Sequence, residues 1–84
     1  PKDGREMVAL LRAGLAHADG PFCLRYPRDV APDVVPAAGE IDPAPLGTWE
    51  VPRRGRELAI LAVGTMVQPS LDAAEALAAD GLDV

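Results

Sequence analysis

What most limits the fold of this chain is a stretch in its middle, residues 30–47, that carries four prolines (Pro32, Pro36, Pro43, Pro45) along with Gly39 and Gly47. Each proline removes a backbone donor and fixes one dihedral, so neither a helix nor a strand ladder runs through such a window. An extended linker is the expected form, and it divides the 84 residues into two pieces. At this length folding hides only about 60 % of the unfolded surface, and even a single core is marginal. Aromatic residues make up 4 % of the chain against 49 % hydrophobic overall, largely Ala, Val and Leu. That profile suits the apolar strands and alanine-rich helices of an α/β layer better than a self-sufficient small domain. The closing Leu82-Asp83-Val84 follows a helix and a glycine stop, where a new strand is expected to start. The sequence therefore reads as a piece of something larger.

In the first piece, Asp3 is placed to cap a helix and Glu6, three residues on, has capping-box spacing. Met7, Leu11 and Leu15, with Val8 beside them, mark one apolar face, which predicts a helix over 4–17 despite Gly14. Asp19-Gly20-Pro21 stops it. Phe22-Cys23-Leu24-Arg25-Tyr26 then alternates as a short strand, which Pro27 ends, so that Arg28 and Asp29 fall just past its C-terminal end.

In the second piece, Thr48–Val51 and Glu57–Val63 are strand-like runs whose separation suits a hairpin, with Gly55 supplying an unusual backbone angle. Leu58-Ala59-Ile60-Leu61-Ala62-Val63 is apolar without alternation, as in a strand buried on both faces of a parallel sheet. Gly64-Thr65-Met66 makes the turn after it. A helix starts around Pro69, presents Leu71, Ala74, Leu77 and Ala78 as its apolar stripe, and stops at Gly81. The predicted class is α/β: the end of one parallel-sheet domain, a proline-rich linker, and the first strand–helix unit of a second α/β domain.

Eight Lys and Arg against 13 Asp and Glu give a net charge of −5, which argues against nucleic acid or an anionic membrane as partner. No apolar run approaches the roughly 20 residues of a membrane span. Cys23 has no partner for a disulfide, and Cys23 with His17 falls short of a structural zinc set. A soluble, acidic chain of a reducing compartment is expected. His17 reads as a surface residue at a helix end and Cys23 as a small buried hydrophobe. Arg53, Arg54 and Arg56 read as a solvated hairpin tip. Gly64-Thr65 lacks the Lys and spacing of a phosphate loop. Arg28 is the one residue whose place suggests binding, because ligands of open α/β sheets sit beyond the carboxyl ends of strands. A guanidinium fork there suits a phosphate, and a solvated surface arginine is the other reading.

The run Asp19-Gly20-Pro21-Phe22-Cys23-Leu24-Arg25-Tyr26-Pro27-Arg28 resembles the signature near the end of the pyrimidine-binding domain in the 1-deoxy-D-xylulose-5-phosphate synthase family, transketolase-like enzymes that use thiamine diphosphate. Pro1-Lys2-Asp3 with Glu6, Met7 and Leu11 is similar to that family's capped helix. Leu46–Val51 and Leu58–Met66 are similar to the opening of its C-terminal domain. The resemblance implies that 1–36 ends the pyrimidine-binding domain, that 37–47 is the linker, and that 48–84 starts the transketolase C-terminal-like domain. It further implies thiamine diphosphate and Mg²⁺ as cofactors, pyruvate and D-glyceraldehyde 3-phosphate as substrates, and a cytoplasmic homodimer serving isoprenoid and thiamine synthesis. Arg28 matches the family arginine that contacts the acceptor's phosphate, whereas Asp29 stands where the family commonly has Gly. The family's Gly-Asp-Gly cofactor segment, activating glutamate and active-site histidines match nothing here, so the 84 residues alone are expected to be inactive. Another transketolase-like subunit, or a small non-catalytic α/β interaction module, are the other expectations that the residues allow.

Overall fold

A computed structural model describes residues 1–17, 19–31 and 41–84. Two helices of equal length anchor it: α1, Gly4–Ala16, and α2, Val67–Ala79, the latter preceded by a 3₁₀ turn over Gly64–Met66.

The start of α1 follows from its first residues. Asp3 is extended and its Oδ1 accepts from the Glu6 N–H at 2.6 Å, satisfying one of the helix's free donors. The reciprocal arm differs from the expected capping box: Glu6 Oε2 accepts from the N–H of Lys2, at 2.6 Å, one residue before the cap. At the other end His17 is the C-cap, its N–H donating to the Ala13 carbonyl at 3.0 Å. The helix therefore ends within one residue of the predicted bound.

Its buried face is not the predicted one. Leu15 is 65 % exposed and Leu11 is exposed as well, whereas Ala13 is buried. Small residues explain the rotation. The Phe22 ring lies against Gly14, where a Cβ would stand 2.5 Å from Cε2, and the Ala44 N–H donates to the Ala9 carbonyl at 3.0 Å. Returning chain thus packs on the Ala9–Ala13–Gly14 side, because only there can backbone and ring approach closely. Ile41, just before this contact, is 2 % exposed. Half of the proline-dense window (32–40) lies outside the described residues, and the stretch from 41 onward docks on α1.

Among the described residues no strand is assigned, so the expected strands are not seen there. Phe22–Tyr26 is extended without a ladder partner, and Cys23, expected to be buried, is exposed. Thr48–Val51 and Glu57–Val63 form no hairpin; Leu61 is 79 % exposed and Val63 71 %. The physical reason is the same in each case. A strand is defined by a ladder with a neighbour's backbone, and none of these runs forms one among the described residues.

Helix α2 meets expectation more closely. Pro69 falls in the first turn, where no N–H is needed, and Ala74 is buried with Leu71, Leu77 and Ala78 half-buried. At its end the Leu82 N–H donates to Leu77 O and the Gly81 N–H to Ala78 O, both at 3.0 Å, with Gly81 at φ +92°. This is the Schellman arrangement, which needs a residue free to adopt a left-handed angle.

The segment after α2 folds back onto the basic turn. Arg56 and Glu57 both donate backbone N–H to the Asp83 carbonyl, at 3.1 and 2.9 Å, and Glu57 Oε2 accepts from the Asp83 N–H at 2.8 Å. Gly55 presses on the main chain of Val84 so closely that a Cβ would overlap it. Close approach, not the expected unusual angle, is what Gly55 supplies: its φ is not among the positive ones.

The chain is looser than a finished domain. Its radius of gyration is 15.1 Å, against about 12 Å for a compact chain of this length. Its accessible surface of 6682 Å² compares with about 4,800 Å² for a folded monomer of its mass.

Candidate functional site

The stretch containing Arg28 runs beside the N-terminal end of α1. Pro27 stiffens it, and Tyr26, Pro27, Asp29 and Val30 line one wall of a cleft of about 180 Å³. The opposite wall comes from Lys2, Asp3 and Met7, and Thr65 of the 3₁₀ turn joins from the second half of the chain. Residues far apart in sequence thus meet here.

Arg28 itself is exposed and does not line the cleft, although its chain neighbours Pro27 and Asp29 do. Asp29, the acid next to it, makes a local contact. Its Oδ1 accepts from the Val30 N–H at 2.7 Å, a local turn that orients one carboxylate oxygen toward the main chain. An exposed arginine has five donors and can take an anion in bidentate fashion.

The cleft's cationic wall is Lys2. Its Nζ lies 2.8 Å from Glu50 Oε2, 3.4 Å from Asp3 Oδ2 and 3.8 Å from Glu6 Oε1. Burial works against the ammonium, but the Glu50 hydrogen bond and the charges of Glu6, Asp3 and Glu50 outweigh it. The Lys2 pKa is therefore held above its ordinary value of 10.5. Sequence reasoning missed this cluster: the Asp3 and Glu6 spacing is visible locally, but nothing announces Glu50, 48 residues away.

The other candidates that the sequence offered are scattered rather than gathered. His17 stands exposed at the end of α1 as expected, and exposed Cys23 lies between it and Arg28 in sequence. The basic turn is exposed, but two of its arginines are in use. Arg53 Nε donates to Val84 O at 2.9 Å and Arg56 Nε to Asp83 Oδ2 at 2.6 Å. Among the described residues no three His, Cys, Asp or Glu side chains converge in a way that could hold a metal ion. The Lys2 carboxylates are turned to an ammonium, not to an open cation site. The described residues thus do not make a Mg²⁺–diphosphate cradle, and none is assigned to one. No helix among them is long and apolar enough to cross a membrane.

Comparison with known proteins gives this arrangement its context. Residues 47–84 match the family described as transketolase, C-terminal domain, which sets the second half of the chain in an α/β class of transketolase-like proteins. The match to individual proteins runs further. A 1-deoxy-D-xylulose-5-phosphate synthase of Gloeobacter violaceus is 42 % identical over 83 residues, 99 % of this chain and 13 % of that protein. The enzyme of the same name from Alkalilimnicola ehrlichii is 46 % identical over 77 residues, 92 % of this chain and 12 % of its own length. That of a Geobacillus species is 43 % identical over 84 residues, the whole of this chain and 13 % of that protein. By sequence the chain belongs to the 1-deoxy-D-xylulose-5-phosphate synthase family, and it spans about an eighth of the length of the curated relatives it matches. No solved structure matches it.

Proposed function

We propose that this chain is part of a 1-deoxy-D-xylulose-5-phosphate synthase. That enzyme joins a two-carbon unit from pyruvate to D-glyceraldehyde 3-phosphate with release of CO₂, supplying isoprenoid and thiamine precursors in the cytoplasm. The observation that carries the reading is the alignment of essentially the entire chain with enzymes of that name at 42–46 % identity. Residues 1–36 close the pyrimidine-binding domain, 37–47 link, and 48–84 open the C-terminal domain of a homodimeric, transferase-type enzyme. Thiamine diphosphate with Mg²⁺ supplies the carbanion chemistry, held by parts of the protein outside these residues. The isolated 84-residue chain is inactive.

Within this reading Arg28 binds the acceptor's phosphate. A phosphate carrying nearly two negative charges is best held by a fixed, planar fork. Stiffening by Pro27 and the exposure of Arg28 beside two residues that line a cleft support that role. The test is Arg28→Ala in the full-length enzyme, assayed with pyruvate and varied acceptor. Loss of a charge-assisted hydrogen bond should cost about 1.5–3 kcal/mol, seen as a fall of roughly ten- to a hundredfold in kcat/KM for the acceptor. Unchanged acceptor kinetics would remove the assignment. The looseness of the chain speaks against the alternative of a self-contained interaction module, since such a module needs a closed core of its own.

A further inference from the structure

Lys2 sits where the two halves of the chain touch, and three features set it apart from a solvated lysine. Its side chain is only 25 % exposed. Its own N–H donates to Glu6 Oε2 at 2.6 Å, so the main chain beneath it is tied to the α1 cap independently of the side chain's contacts. Its shortest ionic contact is not with its neighbours Asp3 and Glu6, at 3.4 and 3.8 Å, but with Glu50, at 2.8 Å. Exposed ion pairs are usually weak because two long side chains must be ordered to form them. Here the cap has already ordered one side, and three carboxylates share one cation. Taking the ammonium away leaves Asp3, Glu6 and Glu50 facing one another, and like charges at such distances repel. Asp29 and Tyr26 line the adjoining cleft, but Asp29 is engaged by the Val30 N–H.

We propose that Lys2 is an ionic fastener, pinning segment 48–51 to the N-terminal end of α1 beside the cleft, so that contact between the two halves depends on ionic strength and on one positive charge. The proposal does not rest on the role of Arg28. It accounts for a contact between residues 48 apart that no local signal demands.

Two measurements on the full-length protein test it. A carbodiimide, which couples an amine to a carboxylate already in contact, should form a Lys2–Glu50 cross-link detectable by peptide mass spectrometry, with a yield that falls several-fold between low salt and about 0.5 M NaCl, where screening is strong. Trypsin cleavage after exposed Arg54, four residues from Glu50, should quicken about two- to fivefold in Lys2→Met and stay at the wild-type rate in Lys2→Arg. Glu50→Gln, which leaves the α1 cap untouched, should reproduce Lys2→Met and serves if that variant folds poorly. Cross-links from Lys2 to Asp3 or Glu6 alone, a Lys2–Glu50 yield insensitive to salt, or cleavage unchanged in both variants would each overturn the proposal.

Discussion

Charged side chains in this chain divide into those whose partners are fixed by local geometry and those whose partners arrive from far away. Asp29 and Glu6 belong to the first kind: each accepts from a backbone N–H within four residues. Lys2, Arg53 and Arg56 belong to the second, with partners 48, 31 and 27 residues distant. The titration of Lys2 tests its surroundings directly. Its folded pKa lies above 10.5, so the stabilisation it provides is complete below that value and is lost as pH rises through the folded pKa. Following the Lys2 Cε resonance in selectively labelled protein should give a midpoint above 10.5. In Glu50→Gln the midpoint should move down, since that variant removes the strongest of the contacts that raise it.

At the scale of elements, both helix bounds were legible from a few residues, because caps are short-range chemistry. Asp3 before α1 and Gly81 after α2 do what their types permit, and the structure needs both. Gly81→Ala places a Cβ at φ +92° and should lower stability by about 1–2 kcal/mol, read as a lower denaturation midpoint with an unchanged slope. An unchanged midpoint would mean that the end of α2 is held by something other than its left-handed turn. The strands were less legible. Leu58–Val63 has the composition of a buried strand, yet composition cannot supply the neighbour that makes one, and among the described residues it joins no ladder. For α1, the periodicity of Met7, Leu11 and Leu15 pointed to a face on which Leu11 and Leu15 stay exposed and Met7 is only half-buried. The packing face was set instead by Gly14 and Ala13, whose smallness a hydrophobic pattern does not record. The Arg28 segment could be placed at a strand end only by pattern; its meeting with Lys2 and Thr65 is tertiary and left no trace in the sequence.

At the scale of the molecule, an acidic chain with 15.1 Å radius of gyration and exposed Leu61, Val63, Trp49 and Val51 has more apolar surface than its own mass can cover. The 84-residue polypeptide by itself should show a scattering radius well above about 12 Å and self-association that grows with concentration, and it should give no turnover with pyruvate, acceptor, thiamine diphosphate and Mg²⁺. A sharp two-state melt of a compact monomer would favour the interaction-module reading instead.

The turn at Gly55 has a bearing on how such a gene can change. Every amino-acid replacement reachable from a glycine codon adds at least one carbon, and any added carbon at this position collides with the Val84 backbone. Neutral drift is thereby shut off at residue 55, while a change at exposed Arg54 beside it meets no such barrier from the Val84 main chain.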